Sequence, residues 1–171
     1  MTAPITIEDY DLLWPEKFER LRSRIAQVLN GLTTAIEHVG STAVPGLAAK
    51  PIIDIDIRLR SATDLPIVCT RLGSLGYEHR GDLGVAGREA FRTPAGQFAH
   101  HLYACPPGSQ EYSRHIAFRD YLRSHLEDAS AYAAVKRNLA HKFATDREAY
   151  NQGKTQFVRQ ILRRAGQDST P

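Results

Sequence analysis

The segment from Ile52 to Leu59 constrains this chain more than any other. Ile53, Ile55, Ile57 and Leu59 fall on one side of it, and Asp54, Asp56 and Arg58 on the other. Strict alternation is the mark of a strand with one face on a core. The isoleucine face demands an apolar partner, so the aspartate face must meet water, cations or both. Aspartate is depleted in strands, and two of them in so apolar a strand need a reason. Carboxylates at i and i+2 stand about 7 Å apart, from where both can reach one hard cation. Oxygen ligands favour Mg²⁺, which also takes oxygens from a nucleotide's phosphates. Without a cation the two charges repel, and one pKa tends to rise. The plainer alternative is a solvated strand face with two surface carboxylates.

Upstream, Thr34 to Val39 reads as a first strand ending in Gly40-Ser41-Thr42. Glycine permits tight turning and close backbone approach to a ligand. Ser41 and Thr42 offer hydroxyls and N–H groups to an anion. Alone, such a turn is commonplace. It does not open a Walker A loop, because Gly46 to Pro51 lacks the second glycine and the Lys-Ser/Thr ending. The stretch from Ser41 to Lys50 reads as a loop or a short helix with a loop.

The remaining pattern places these pieces in an α+β domain. Trp14-Pro15-Glu16 opens a helix, proline suiting its first turn. Phe18, Leu21, Ile25, Val28 and Leu29 recur at helical spacing, and Gly31 is its stop. Thr63 to Leu75 reads as a second helix. Tyr77–His79, Glu89–Thr93 and Phe98–Ala104 read as strands. From Ser109 to Arg164 the chain reads as two or three helices. Ala131, Val135, Leu139 and Phe143 form one apolar face, and Phe157, Ile161 and Leu162 another. The 171 residues fit one domain, with an ordered core over about 7–164 and a frayed tail over 165–171.

Composition excludes several classes. A formal charge of +3 suits a small anionic ligand but lacks the dense basic stripe of a nucleic-acid binder. Two cysteines, Cys69 and Cys105, argue against a disulfide framework or a cysteine zinc site. The start has neither the basic nor the apolar region of a secretory signal, and no apolar run is long enough for a bilayer. A cytoplasmic protein without membrane contact is the expectation.

The order Val39-Gly40-Ser41, a spacer, then Asp54-Ile55-Asp56-Ile57 resembles the signature of the nucleotidyltransferase superfamily. The longer string from Ile36 to Ile55 is similar to a narrower group, the GrpB family. Other blocks agree: Trp14-Pro15 with Phe18, Gly87-Arg88 with Phe91, Phe118 to Arg123, Tyr132 to Lys136, and Lys154 with Phe157. The likeness runs from about Ile7 to Arg164. It implies a nucleotidyltransferase-like mixed β-sheet flanked by helices, with a helical C-terminal third. It also implies a nucleoside triphosphate donor and an unknown small-molecule or protein acceptor. Some relatives are fused to dephospho-coenzyme A kinase, which leaves open a non-catalytic nucleotide-binding or accessory role.

Carried onto this chain, the resemblance assigns phosphate to Gly40, Ser41 and Thr42, and Mg²⁺ or Mn²⁺ to Asp54 and Asp56. A third carboxylate usually completes such a site, on the strand that is here Phe98–Ala104. That strand has none. By alternation its less apolar face carries His101 and Tyr103, so His101 is the candidate, as base or ligand. A merely hydrogen-bonded histidine is the alternative, and Glu89 or Asp82 could bring the acid from elsewhere. Lys50, Arg58, Arg88, Arg119, Lys136 and Lys154 are the candidate phosphate ligands, each equally compatible with a solvated surface role. Arg119-Asp120 could instead be an internal ion pair, and His38 a brace for the turn.

Overall fold

The computed structural model describes residues 4–167. The expected α+β arrangement, a mixed sheet flanked by helices with a helical C-terminal third, is the one found. Five strands form one mixed sheet in the order β1-β2-β5-β4-β3. They are β1 Thr33–Val39, β2 Ile53–Leu59, β3 Glu78–His79, β4 Glu89–Arg92 and β5 His100–Cys105. The pair β2–β5 is parallel, and the neighbouring pairs are antiparallel. The helices are α1 Trp14–Val28, α2 Leu65–Gly73, α3 Gln110–Ser124, α4 Leu126–Lys142 and α5 Arg147–Arg164.

The isoleucine face of β2 finds the core its alternation demands. Ile53, Ile55, Ile57 and Leu59 are buried with Trp14, Phe18, Leu21 and Ile25 of α1 and Val68 and Leu72 of α2. Burying each such side chain contributes about 1.5–3 kcal/mol, which fixes the register of β2. A one-residue slip would put every aspartate into that core. A second cluster joins Val44, Leu47 and Ala48, from the loop after β1, to Leu122, Ala129, Tyr132 and Ile161 of α3, α4 and α5. The aspartate face of β2 therefore looks toward the C-terminal helices.

Two expectations need correction. The buried face of α4 is Ala129, Tyr132, Ala133, Lys136 and Ala140, rotated from the face of Ala131, Val135, Leu139 and Phe143. A lysine in the middle of the buried face disguises its period. The tail over 165–171 lies partly outside the described residues. Its first part is tied down, because the N–H groups of Ala165, Gly166 and Gln167 donate to Ile161, Arg163 and Leu162. Among the described residues no helix is long and apolar enough to cross a membrane.

Candidate functional site

A cleft of about 760 Å³ opens between the aspartate face of the sheet and helices α4 and α5. Gly40, Ser41 and Thr42 line it, together with Asp54 and His101. Gly40 has φ +71°, and a Cβ there would stand 2.3 Å from Asp54 Oδ2. The turn thus lies directly on the carboxylate, which only glycine permits. Ser41–Ala43 forms one 3₁₀ turn. His38 braces it, its Nε2 2.9 Å from Thr42 Oγ1 and its ring stacked on Phe18. Burial pushes the His38 imidazole down to about 4, so this histidine is neutral.

The parallel register of β2 and β5 sets Asp54 opposite His101 and Asp56 opposite Tyr103. His101 Nδ1 lies 2.8 Å from Asp54 Oδ1. That hydrogen bond raises the His101 pKa against the opposing effect of burial. With the carboxylate accepting, Nδ1 carries the proton and Nε2 is left to other chemistry. His101 thus occupies the predicted place.

Asp56 is fully buried. Its Oδ2 accepts from His115 Nδ1 at 2.7 Å, while its Oδ1 has no hydrogen-bond partner. Leaving a buried carboxylate oxygen without a donor costs about 1–3 kcal/mol or more. His115 comes from α3 and lines the cleft above Asp56, its Nε2 3.8 Å from Glu111. Burial lowers its pKa, but the Asp56 hydrogen bond and the charges of Asp56, Glu111 and Asp54 raise it on balance.

The cations of the cleft have no acidic partners. Lys50, Arg88, Lys136, Arg147 and Lys154 all line it, and among the described residues none joins an ion pair. Lys50 Nζ and Lys154 Nζ lie 4.1 and 4.4 Å from the Tyr150 ring. Lys136 Nζ lies 4.6 Å from the Tyr132 ring and donates to the Ala48 carbonyl. Burial pushes Lys136 down to about 7 and Lys154 to about 8, and it lowers Lys50 as well.

Two predicted phosphate ligands are not brought to the cleft. Arg58, at the far end of β2, is exposed and lies 5.7 Å from the Tyr112 ring. Arg119 is 8% exposed and points the other way, to Glu37, Asp120 and the His38 carbonyl. The carboxylates attract it there, so Arg119-Asp120 is the internal ion pair. Neither alternative acid reaches the site. Glu89 binds His79 at the surface, and Asp82 caps its own turn through the Gly84 N–H. The remaining carboxylate on the cleft wall, Glu8, is exposed.

Sequence reasoning missed His115 and Arg147. Glu111, His115 and Arg119 share one face of α3 at i, i+4 spacing, a detectable pattern of polar residues on an inward face. Arg147 opens α5, where a positive charge opposes the helix dipole, and that misplacement was its signal.

The family model described as GrpB protein matches residues 4–164. The crystal structure of conserved protein GrpB from Enterococcus faecalis is 32% identical. It overlays with a TM-score of 0.86 over 94% of this chain and 96% of that one. UPF0157 protein PA4798 from Pseudomonas aeruginosa is 42% identical over 91% of this chain and 65% of its own length. UPF0157 protein YqkA from Bacillus subtilis is 35% identical over 88% of this chain and 44% of its own. The chain therefore spans less than two thirds of these two relatives.

Proposed function

The chain belongs to the GrpB family, and we propose that its cleft binds a nucleoside triphosphate with Mg²⁺ or Mn²⁺ and transfers a nucleotidyl group to an acceptor. The observation that carries this reading is the group of unpaired cations gathered beside two strand carboxylates. Buried charge is costly unless it is paired. Lys136 is buried and Lys50, Arg88 and Lys154 are half-buried; among the described residues no acid forms an ion pair with them, and a polyphosphate would supply that partner. Lys50, Lys136, Lys154 and Arg147 hold the phosphates, and the Gly40–Thr42 turn lets them come close to the backbone.

Asp54 and Asp56 are the residues to hold the cation. Asp56 Oδ1, buried without a partner, fits that role, as does the hard-oxygen character of the pair. Among the described residues no group of three or more His, Cys, Asp or Glu side chains is arranged for a metal, so the nucleotide's own oxygens complete the ligand set. A cation held there would neutralise phosphate oxygens and stabilise charge on the transferred phosphorus. His101, oriented by Asp54, receives the proton of the attacking hydroxyl on Nε2. The acceptor's oxygen–phosphorus bond forms, and the bond to the pyrophosphate leaving group breaks.

One observation favours a second reading, a non-catalytic nucleotide-binding or accessory module. Asp56 lies sealed under His115, and among the described residues the other acid on the cleft wall besides Asp54 is the exposed Glu8. Calorimetry with ATP, CTP, GTP and UTP in the presence of Mg²⁺ tests the binding step shared by both readings. Undiminished binding in both Asp54→Ala and Lys154→Ala removes the cleft from consideration. Incubation with a metabolite extract and mass spectrometry then separates the two, because nucleotidylated products arise only in the first.

A further inference from the structure

The cleft cations divide into two groups by origin. Lys136, Arg147 and Lys154 come from α4 and α5, and Lys50 from the loop before β2. Lys50 and Lys154 share the Tyr150 ring. Arg88 comes from the opposite wall. It immediately precedes β4, whose Ala90 pairs with Tyr103 of β5. Tyr103 in turn stands beside Asp56, one step along from the Asp54–His101 pair. Along the strand direction the Asp54–His101 pair therefore lies between Arg88 and Lys50.

Arg88 is also held differently. Its guanidinium lies over the Tyr103 ring at 4.3 Å, and its Nε is buried with no hydrogen-bond partner. The loop that carries it is pinned, because Ser109 Oγ donates to the Gly87 carbonyl at 2.6 Å while accepting from Tyr112 N–H to cap α3. By contrast, Arg80 and Arg92 at the outer edge of the same sheet both pair with Glu78. A guanidinium braced on an aromatic face, without a carboxylate, is a preset fork for a planar or tetrahedral anion. The lysines already suffice for a triphosphate on the other wall.

We infer that Arg88, braced on Tyr103, is the docking point for a phosphate or carboxylate group on the acceptor, which makes the acceptor a small anion rather than a neutral alcohol. The assignment rests on the reading that the lysine wall takes the donor. It places the acceptor's anionic group across the Asp54–His101 pair from the triphosphate. A hydroxyl on the same molecule then reaches His101 Nε2 from the Arg88 side. Arginine suits both anion classes, since its five donors match either geometry bidentately.

The test titrates inorganic phosphate, and separately malonate, into the full chain saturated with Mg²⁺ and a non-hydrolysable ATP analogue. Calorimetry follows wild type, Arg88→Ala, Arg88→Lys and Lys154→Ala, each checked for a wild-type melt. The expected result is one anion site in the wild type, the tighter probe telling a phosphorylated acceptor from a carboxylated one. Arg88→Ala weakens that site at least tenfold and Arg88→Lys nearly as much, because lysine keeps the charge and loses the fork. Nucleotide affinity in both stays within threefold, whereas Lys154→Ala shows the reverse pattern. An anion site indifferent to Arg88 overturns the assignment, as does equal loss of nucleotide affinity in Arg88→Ala and Lys154→Ala. If wild type binds no nucleotide, the donor reading fails by itself. The same anion titration on nucleotide-free protein still reads Arg88, where loss in Arg88→Ala sustains the docking point and no loss refutes it.

Discussion

Two basic hollows flank the Gly40–Ser41–Thr42 turn, and they differ in what answers their charge. In the cleft, five cations line the wall with no ion pair among the described residues. In the groove behind the turn, about 440 Å³ in volume, Arg22, Arg119 and Arg123 each have an acid: Glu19, Glu37 with Asp120, and Asp120. Arg123 also donates to the Ala43 carbonyl, holding the turn from behind. Both hollows are rich in basic residues, so density of charge does not distinguish them. Pairing does. The groove's charges are already used within the fold, and on the proposed reading those of the cleft are left for a ligand.

The sharpest way to break this comparison is to remove the lysines. In a Lys136→Met, Lys154→Met double variant, Mg²⁺-ATP affinity should fall by about 100-fold or more, since a hydrogen bond to a charged group is worth about 1.5–3 kcal/mol. The free protein should melt higher, because two buried unpaired ammonium groups are gone. Calorimetry and a thermal melt read both. Unchanged affinity would make the cleft another scaffold.

Gly40→Ala should come next, with about a 30-fold loss of affinity. The new Cβ meets Asp54 Oδ2 and the positive φ disfavours any side chain, a strain of about 1–3 kcal/mol. Gly46, also at positive φ but with nothing within 4 Å, is the control. Gly46→Ala should lose stability alone and leave binding intact.

Arg119→Ala should cost the fold about 2 kcal/mol, since it leaves the partly buried Glu37 unpaired, and change nucleotide affinity less than twofold. Urea unfolding and calorimetry on one sample set decide it. A larger loss of affinity than of stability would return Arg119 to the site.

The fold and half of the site were legible because they obey short periods. The alternation in β2 gave the strand, its isoleucine face and the aspartate face opposite, though Asp56 on that face is buried under His115. The alternation in β5 put His101 on the less apolar face, the family resemblance made that face the third position of the site, and the register sets it opposite Asp54. What failed was distance across the fold. Arg58 shares the aspartate face, yet it stands beyond the end of the cleft at the level of Cys105, and period alone does not say where a cleft stops. Arg119 was chosen for its charge, but Glu37, 82 positions away in sequence, claims it. His115 reaches Asp56 across 59 positions, and nothing local marks that contact. On α4 the burial of Lys136 hid the true apolar face, so a charged residue within that face spoiled the pattern used to find it.

The smallest expected effect uses pH. Lys136 and Lys154 titrate at about 7 and about 8 in the folded chain, against roughly 10.4 when unfolded. Between these values the unfolded chain binds more protons than the folded one, so stability of the free protein rises with pH. The penalty for burying these ammonium groups is fully present below about 7 and fades as pH climbs from the folded values toward roughly 10.4. Affinity for a polyphosphate moves the other way, because the ligand needs the charged form. From pH 7 to 9 nucleotide affinity should fall at least about tenfold, the loss expected from Lys154 alone, with proton uptake on binding measurable by calorimetry in buffers of different ionisation enthalpy. Asp54, His101, Lys50 and Arg147 share the cleft and modulate the steepness, but the two lysines set the window. Lys136→Arg with Lys154→Arg should flatten the profile, since guanidinium stays charged throughout. The groove offers the contrast: its arginines hold their charge across the same range, so the stability lost in Arg119→Ala should be the same at pH 7 and pH 9. A nucleotide affinity equally flat in the wild type would mean that the lysines are not what the ligand meets.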